Sequence, residues 1–280
     1  MSITFGPGGN SLSWGKKKFP YDLPQYLAEL GLNGYEIECG RGVRISEKTI
    51  NDLPAIAKEH GIYVTLHAPY FISLSSVEEE TRLKSVDYIL QSAQAAKAVG
   101  AEKIVVHSGS CAKISREEAT ALAFDTLKRA QTALDEAGLS DIIICPETMG
   151  KINQLGTLDE VLELCGVDER FLPCVDFGHL NARTLGGIKG REEYAQIFDL
   201  IEHKLGHDRL SRMHIHFSRI EFTAGGEKRH VTFADRQWGP EYEPLMEELH
   251  RRGLSPSVIC ESDGTQAEDA AEMKRYYESL

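Results

Sequence analysis

The sequence predicts an α/β protein, a single (β/α)8 barrel over residues 1–280. Three observations predict it. Eight short strand-like runs alternate with amphipathic helical stretches, and such alternation means a parallel sheet. Eight units in a chain of 280 residues suit a closed barrel better than an open sheet. No Gly- or Pro-rich linker divides the chain, and no GxGxxG opens a helix after the first strand, as a dinucleotide-binding open sheet requires.

The first strand, Ser2–Gly6, runs into Gly6-Pro7-Gly8-Gly9, but SLSWGKKKFPYD follows where a nucleotide fingerprint needs a helix, so this is a loop. Helix Leu23–Leu30 leads to strand Tyr35–Cys39. Helix Ser46–His60 ends at Gly61, where a left-handed C-terminal turn tolerates glycine best. After strand Tyr63–His67 comes helix Val77–Val99, with Leu83, Val86, Ile89, Leu90 and Ala93 at helical spacing and Gly100 as its stop. Strand Lys103–His107 and helix Arg116–Glu136, closed by Gly138, precede strand Asp141–Pro146 and helix Leu158–Leu164. In FLPCVDFGHL the apolar run Leu172, Cys174 and Val175 enters through Pro173 and closes at Gly178, giving strand Leu172–Asp176. Helix Glu192–Leu205, strand Arg212–His216, helix Glu241–Arg251, strand Ser257–Glu261 and helix Ala267–Leu280 complete the pattern. Between them Ser218–Gly239 reads as a long irregular loop, rich in charge and glycine, and a loop of that length in a compact domain is usually functional.

Composition narrows the class. The chain is 41% hydrophobic and 26% charged, as soluble globular proteins are. Its longest apolar runs, KIVVHS and DIIICPE, are too short to span a bilayer, and MSITFGPGGN lacks the features of a signal peptide. A cytoplasmic monomer with no membrane partner is expected. The six cysteines (Cys39, Cys111, Cys145, Cys165, Cys174 and Cys260) show no CxxC spacing, which speaks against thiolate zinc sites and makes them structural. A net charge of −12 opposes non-specific binding to nucleic acid, although bound cations and a local Lys/Arg rim can reverse the field at one face.

The polar residues are informative through their positions. The third strand ends in His67, the fourth in His107, and the fifth runs into Glu147. The sixth ends in Asp176 with His179 beyond it, the seventh carries His214 and His216, and the eighth ends in Glu261. Each has an ordinary structural explanation: a histidine can be satisfied by a carbonyl, a glutamate by a lysine. Six consecutive strands ending this way are different, because a barrel gathers these ends at its catalytic mouth. So many carboxylates and imidazoles need a cation between them. Histidine and carboxylate without thiolate favour zinc, manganese or iron. A carboxylate such as Glu147 can bridge two ions, the arrangement used for displacement at phosphorus. No serine or cysteine nucleophile motif competes; Ser108 and Ser262 adjoin the ligands without a GxSxG context.

HAPY at His67, VVHSGS at His107, PETMG at Glu147, CVDFGH at Asp176 and His179, MHIH at His214 and ESDG at Glu261 resemble, in order and spacing, the endonuclease IV family of apurinic/apyrimidinic endonucleases. The resemblance runs over roughly residues 60 to 265 and extends in outline to the whole barrel. It implies a zinc-dependent barrel (two or three Zn2+, with Mn2+ possible) that cleaves abasic-site duplex DNA. It implies that His67 and His107 hold one ion and that Glu147, as the catalytic carboxylate, bridges it to a second. Asp176, His214 and Glu261 would complete the second site, and His179 with His230 would serve a third. Tyr70, Lys228 and Arg229 would contact the DNA.

Some positions depart from the family pattern. Lys228-Arg229-His230 stands where the family has Asp-Arg-His, so either Glu227 or Glu221 substitutes for the missing carboxylate or the protein holds only two metals. Phe5-Gly6 replaces a histidine of the first strand, His216 stands where asparagine is usual, and CGRGVRISEK (with Arg41 and Arg44) does not reproduce the DNA-inserting loop. The other reading is a sugar isomerase or epimerase of the xylose-isomerase-like group. That chemistry needs one divalent ion, for which Glu147, Asp176, His214 and Glu261 suffice, and leaves His67, His107, His179 and His230 without a purpose.

Overall fold

The computed structural model describes residues 2–280. Its strands, in chain order, are β1 (Thr4–Pro7), β2 (Gly34–Glu38), β3 (Tyr63–His67), β4 (Lys103–His107) and β5 (Ile143–Glu147). Then come β6 (Cys174–Asp176), β7 (His214–Phe217), β8 (Arg219–Thr223), β9 (Gly226–Val231) and β10 (Ser257–Cys260). The helices are α1 (Leu23–Glu29), α2 (Glu47–His60), α3 (Glu79–Val99), α4 (Arg116–Glu136) and α5 (Leu158–Leu164). They continue with α6 (Phe177–Arg183), α7 (Arg191–Leu205), α8 (His207–Arg212), α9 (Glu243–Arg252) and α10 (Gln266–Glu278).

Eight parallel strands pair in the order β1-β10-β7-β6-β5-β4-β3-β2. The two ends of this sheet meet, because Gly8 bridges to Glu36 and the Gly9 N–H donates to the Glu36 carbonyl at 3.0 Å. The seam depends on glycine, since a Cβ on Gly6 would lie 2.1 Å from the Gly34 carbonyl oxygen. The eight strands are those expected from the sequence, with ends shifted by a few residues, and the fold is the expected (β/α)8 barrel.

Two expectations change. Ser218–Gly239 is not irregular: β8 and β9 form an antiparallel hairpin in its first half. Its alternation was hidden by charge, because both faces of Glu221–Arg229 carry polar residues. The segment after Asp176 is helical, where Asp176 Oδ1 accepts from the His179 N–H at 2.7 Å and caps α6. A short α8, His207–Arg212, also precedes β7 where the sequence reading began a strand.

Apolar side chains fill the space between strands and helices; Leu53, Leu66, Ile89, Leu127 and Phe198 are fully buried there. The lumen is divided. Val105, Cys145, Leu172 and Cys174 pack a small apolar cluster on one side. Glu36, Thr65, His214, His216 and Ser257, all buried, occupy the other. At the outer layer, Glu248 of α9 is buried and receives Arg251, Arg191 and Arg252, the first two at 2.7 and 2.6 Å. Arg191 begins α7, so this carboxylate ties α7 to α9.

Arg251, with Arg191 and Arg252, holds the Glu248 carboxyl down at about 2 against burial. A carboxyl depressed on folding stabilises the protein above its unfolded pKa and loses that contribution as pH falls through the folded value. Glu248→Gln is therefore expected to cost about 1–3 kcal/mol at pH 7. Denaturant midpoints measured across pH should show the difference constant above about pH 5 and vanishing toward pH 2.

Candidate metal centre

The C-terminal ends of β3 to β7, with the residues just beyond β10, deliver the expected side chains to one mouth. Glu147 ends β5 and is buried at its centre. Its two oxygens face different groups. Oε2 lies 3.4 Å from His67 Nε2 and 3.2 Å from His107 Nε2. Oε1 lies 3.1 Å from His216 Nδ1 and 3.5 Å from His179 Nδ1.

Backbone carbonyls set the direction of two of these rings. A carbonyl only accepts, so His67 Nδ1 donates to the Ala68 carbonyl at 2.8 Å and its Nε2 is left facing the site. His179 Nδ1 donates likewise to the Thr148 carbonyl at 2.9 Å, freeing Nε2. His230 Nδ1 pairs with Ser218 Oγ at 2.8 Å. Outer partners of this kind orient metal-ligating histidines.

Potential ligand atoms gather within 4.8 Å of one another in His67–His107–Glu147, in Glu147–Asp176–His216–Glu261 and in Asp176–His179–His230. Glu147 and Asp176 each belong to two of these groups. The residues suit a cation on an observation independent of their number: Glu147 Oε2 and Asp176 Oδ2 are buried and accept no hydrogen bond.

One expected ligand stands elsewhere. His214 lies one pleat below the mouth, its Nδ1 2.7 Å from Ser257 Oγ and its Nε2 3.0 Å from Glu36 Oε2. The β7 imidazole that reaches Glu147, Asp176 and Glu261 is His216, two residues on and on the same strand face. Both face inward, so sequence alternation alone could not choose between them. Cys174 Sγ also approaches His214 and His216, but burial pushes its thiol well up and keeps it protonated.

The hairpin completes the mouth. The Glu227 N–H donates to the Gly150 carbonyl and the Ile152 N–H to the Gly225 carbonyl, both at 3.1 Å, clamping the hairpin to the loop after β5. That places the His230 ring 5.3 Å from the His179 ring. Ile220 pairs with His230 and Phe222 with Glu227, so a bulge at Lys228 brings Glu227 onto the face of His230. Glu227 Oε2 reaches within 3.5 Å of His179 Nε2. Gly150 makes this approach possible, since a Cβ there would lie 2.6 Å from the Glu227 Cβ and 2.9 Å from the His179 ring. Lys228 and Arg229 point outward and both pair with Glu221 at 2.7 Å. Of the two carboxylates weighed from the sequence, Glu227 faces the mouth and Glu221 does not.

Above the cluster two cavities of about 320 and 470 Å3 adjoin, sharing His230 and Glu261. Lys151 and Tyr70 edge the first, and Arg229 with Asp263 edges the second. Tyr70 is 57% exposed, its N–H donating to the Gly40 carbonyl at 3.2 Å.

A family model described as xylose isomerase-like TIM barrel matches residues 24–279. The chain belongs to this family. An uncharacterised protein of Methanocaldococcus jannaschii is 33% identical over 280 residues, covering 99% of this chain and 98% of the other. A protein of Shouchella clausii named "Probable endonuclease 4" is 27% identical over 228 residues, 77% of this chain and 75% of that one. Among solved structures, endonuclease IV from Thermus thermophilus superposes with a TM-score of 0.67 at 19% identity, covering 92% and 94%. A D-tagatose 3-epimerase-like protein superposes with 0.68 at 20% identity, covering 91% of each chain. At those identities the solved structures show the fold alone. No helix among the described residues is long and apolar enough to cross a membrane.

In this xylose isomerase-like barrel the charges at the mouth compensate one another. Burial alone would raise Glu147, but the surrounding imidazoles of His107, His179, His216 and His67 outweigh it and hold the carboxyl well below its usual range. Burial pushes Asp176 up to about 6. Burial would lower His67, yet Glu147, Glu38 and Glu36 bring it up to about 10. Buried carboxylates must be balanced by imidazolium protons or by cations. A ligating nitrogen has to lose its proton, so the two compete. Zinc added to metal-free protein at pH 7 is therefore expected to displace protons. Titration calorimetry in buffers of different ionisation enthalpy measures the number, and release of none would refute this charge balance.

Proposed function

We propose that the chain is a metal-dependent phosphodiester hydrolase of the endonuclease IV type, cleaving duplex DNA at abasic sites, with zinc at the mouth of the barrel. The observation that carries the reading is the division of Glu147, one oxygen toward His67 and His107 and the other toward His216 and His179. A carboxylate so placed serves two cation sites at once, which phosphoryl chemistry uses and a single-ion sugar epimerase does not need. The 27% identity to a protein named as an endonuclease 4 supports it from sequence.

His67, His107 and Glu147 would hold one ion, and Glu147, Asp176, His216 and Glu261 a second. His179 and His230, with Asp176 and Glu227, could hold a third. Such ions supply a hydrolytic nucleophile at neutral pH and stabilise charge on the departing oxygen. The protein's own residues do the rest. Glu147 stays ionised among the four imidazoles described above and fixes the spacing of the two groups. The carbonyls of Ala68 and Thr148 lock two imidazoles with Nε2 directed inward. Tyr70 stands exposed at the rim, within reach of a base or sugar beside a lesion, while Lys151 and Arg229 offer charge to phosphates. Lys228 and Arg229 reach DNA only if they leave Glu221, which leaves them a secondary part in binding.

Zinc-loaded protein should nick a duplex containing one abasic site, and Glu147→Gln should lower the rate by at least about 10³ with the circular dichroism spectrum unchanged. Nicking at the wild-type rate by the variant would remove Glu147 from its role. No nicking by the wild-type protein, together with one metal per chain and epimerisation of a ketose, would establish the sugar reading.

Affinity for the same duplex should also depend on the metals, because the chain carries −12 and the mouth gains positive charge chiefly from bound cations. Fluorescence anisotropy over a salt series should show binding that weakens with salt and is lost on chelation. Equal affinity with and without metal would contradict a metal-centred DNA site.

A further inference from the structure

Below the mouth, four side chains converge in the lumen. His214 and His216 of β7 face each other through Nε2 at 3.1 Å. Glu36 of β2 lies against both, its Oε2 3.0 Å from His214 Nε2 and its Oε1 2.8 Å from His216 Nε2. Thr65 Oγ1 donates to Oε2 at 2.7 Å, whereas Oε1 is buried and accepts no hydrogen bond. From β6, across the barrel from β2, Cys174 brings Sγ within 4.8 Å of a nitrogen of each imidazole. Glu36, Cys174, His214 and His216 are all fully buried.

Hydrogen bonding leaves this group incomplete, because Glu36 Oε1 lies at contact distance from His216 Nε2 with no N–H aimed at it. Ligands on a zinc ion, at bonds of about 2.0–2.1 Å and tetrahedral angles, stand about 3.3 Å apart. The nitrogen pair and the two nitrogen–oxygen approaches, from 2.8 to 3.1 Å, are close to that spacing. The outer nitrogens are already engaged, His214 Nδ1 with Ser257 Oγ at 2.7 Å and His216 Nδ1 with Glu147 Oε1 at 3.1 Å. Outer partners turn metal-bound histidines inward in the same way. The geometry points to a second metal site, a closed zinc centre held by His214 Nε2, His216 Nε2, Glu36 and Cys174, below the mouth and sharing only His216 with it. Imidazole, carboxylate and thiolate together suit zinc and not magnesium or calcium. The two anionic ligands balance a divalent ion, as full burial requires. Four protein ligands leave no open position, so the site is structural and ties β2, β6 and β7 together across the lumen. Without a cation, burial keeps the Cys174 thiol protonated; coordination removes that proton, and the ion replaces the proton between the two Nε2 atoms. His216 Nδ1 stays on the mouth side, so this ring joins the two centres as an imidazolate when both are filled. The absence of CxxC spacing conceals the site, because the partners of Cys174 come from other strands.

A thiolate ligand has a signature that the mouth, with none, does not give. Protein produced with cobalt in place of zinc should show a thiolate-to-cobalt charge-transfer band in the near ultraviolet. Zinc-edge X-ray absorption of the zinc-loaded protein should show sulfur among the nearest neighbours. Cys174→Ser should lose both signals and bind one zinc fewer per chain. Glu36→Gln, which keeps the thiol, should release this ion to a chelator ahead of the wild-type protein. Glu147→Gln disables the mouth but should keep the band, so failure of the mouth reading and failure of this site are told apart. Absence of the band and of sulfur scattering in the wild-type protein would overturn the site without recourse to any variant. Either signal persisting in folded Cys174→Ser would overturn it as well.

Discussion

Glu147 is the constraint on which the rest of the mouth depends. A carboxylate this deeply buried costs several kcal/mol unless neighbours compensate it. Four imidazoles lie within about hydrogen-bond reach of its two oxygens, yet Oε2 accepts no hydrogen bond. Three of those imidazoles have a neighbour behind them: the Ala68 carbonyl at His67, the Thr148 carbonyl at His179 and Glu36 at His216. Strand register does the remaining positioning, since His107 pairs with Glu147 and Asp176 with His216 across adjacent strands. The parallel ladder thus converts single residues at strand ends into a ring.

The hairpin contributes what the ring of strands cannot. No barrel strand ends near His179 on its outer side, and His230 reaches it only because β9 is pinned to the Gly150–Ile152 backbone. The bulge at Lys228 then matters as much as the residue itself. In a regular ladder Lys228 and His230 would share a face, placing an ammonium beside the imidazoles. With one extra residue in the strand, Glu227 takes that face and Lys228 turns out to Glu221.

Much of this was legible in the sequence, because strand periodicity and the chemistry of strand ends are local properties. The eight barrel strands and the convergence of His67, His107, Glu147, Asp176, His179 and Glu261 needed only alternation and order. The part of His216 was not legible, because a period of two places His214 and His216 on one face and only depth in the barrel separates them. Glu36 was missed for a related reason. It lies mid-strand in GYEIE, and nothing local says that Thr65, His214 and His216 from two other strands will meet it. The hairpin was concealed because a bulge breaks the very alternation by which strands are recognised.

The divided lumen connects these levels. A barrel interior is ordinarily a packed apolar core, and here Val105, Cys145, Leu172 and Cys174 still form one on the side of β4 to β6. The opposite side gives up that packing for Glu36, Thr65, His214 and Ser257, where Thr65 donates to Glu36 Oε2 and His214 pairs with Ser257, while Glu36 Oε1 accepts no hydrogen bond. At the bottom of this side the Lys103 ammonium donates to the Arg212 carbonyl and to Ser257 Oγ. The lower barrel and a mouth imidazole are therefore joined by one hydrogen-bonded file, Lys103, Ser257, His214 and His216. Substitutions at Lys103 or Ser257, remote from any substrate, bear on the mouth through His214 and its bond to His216.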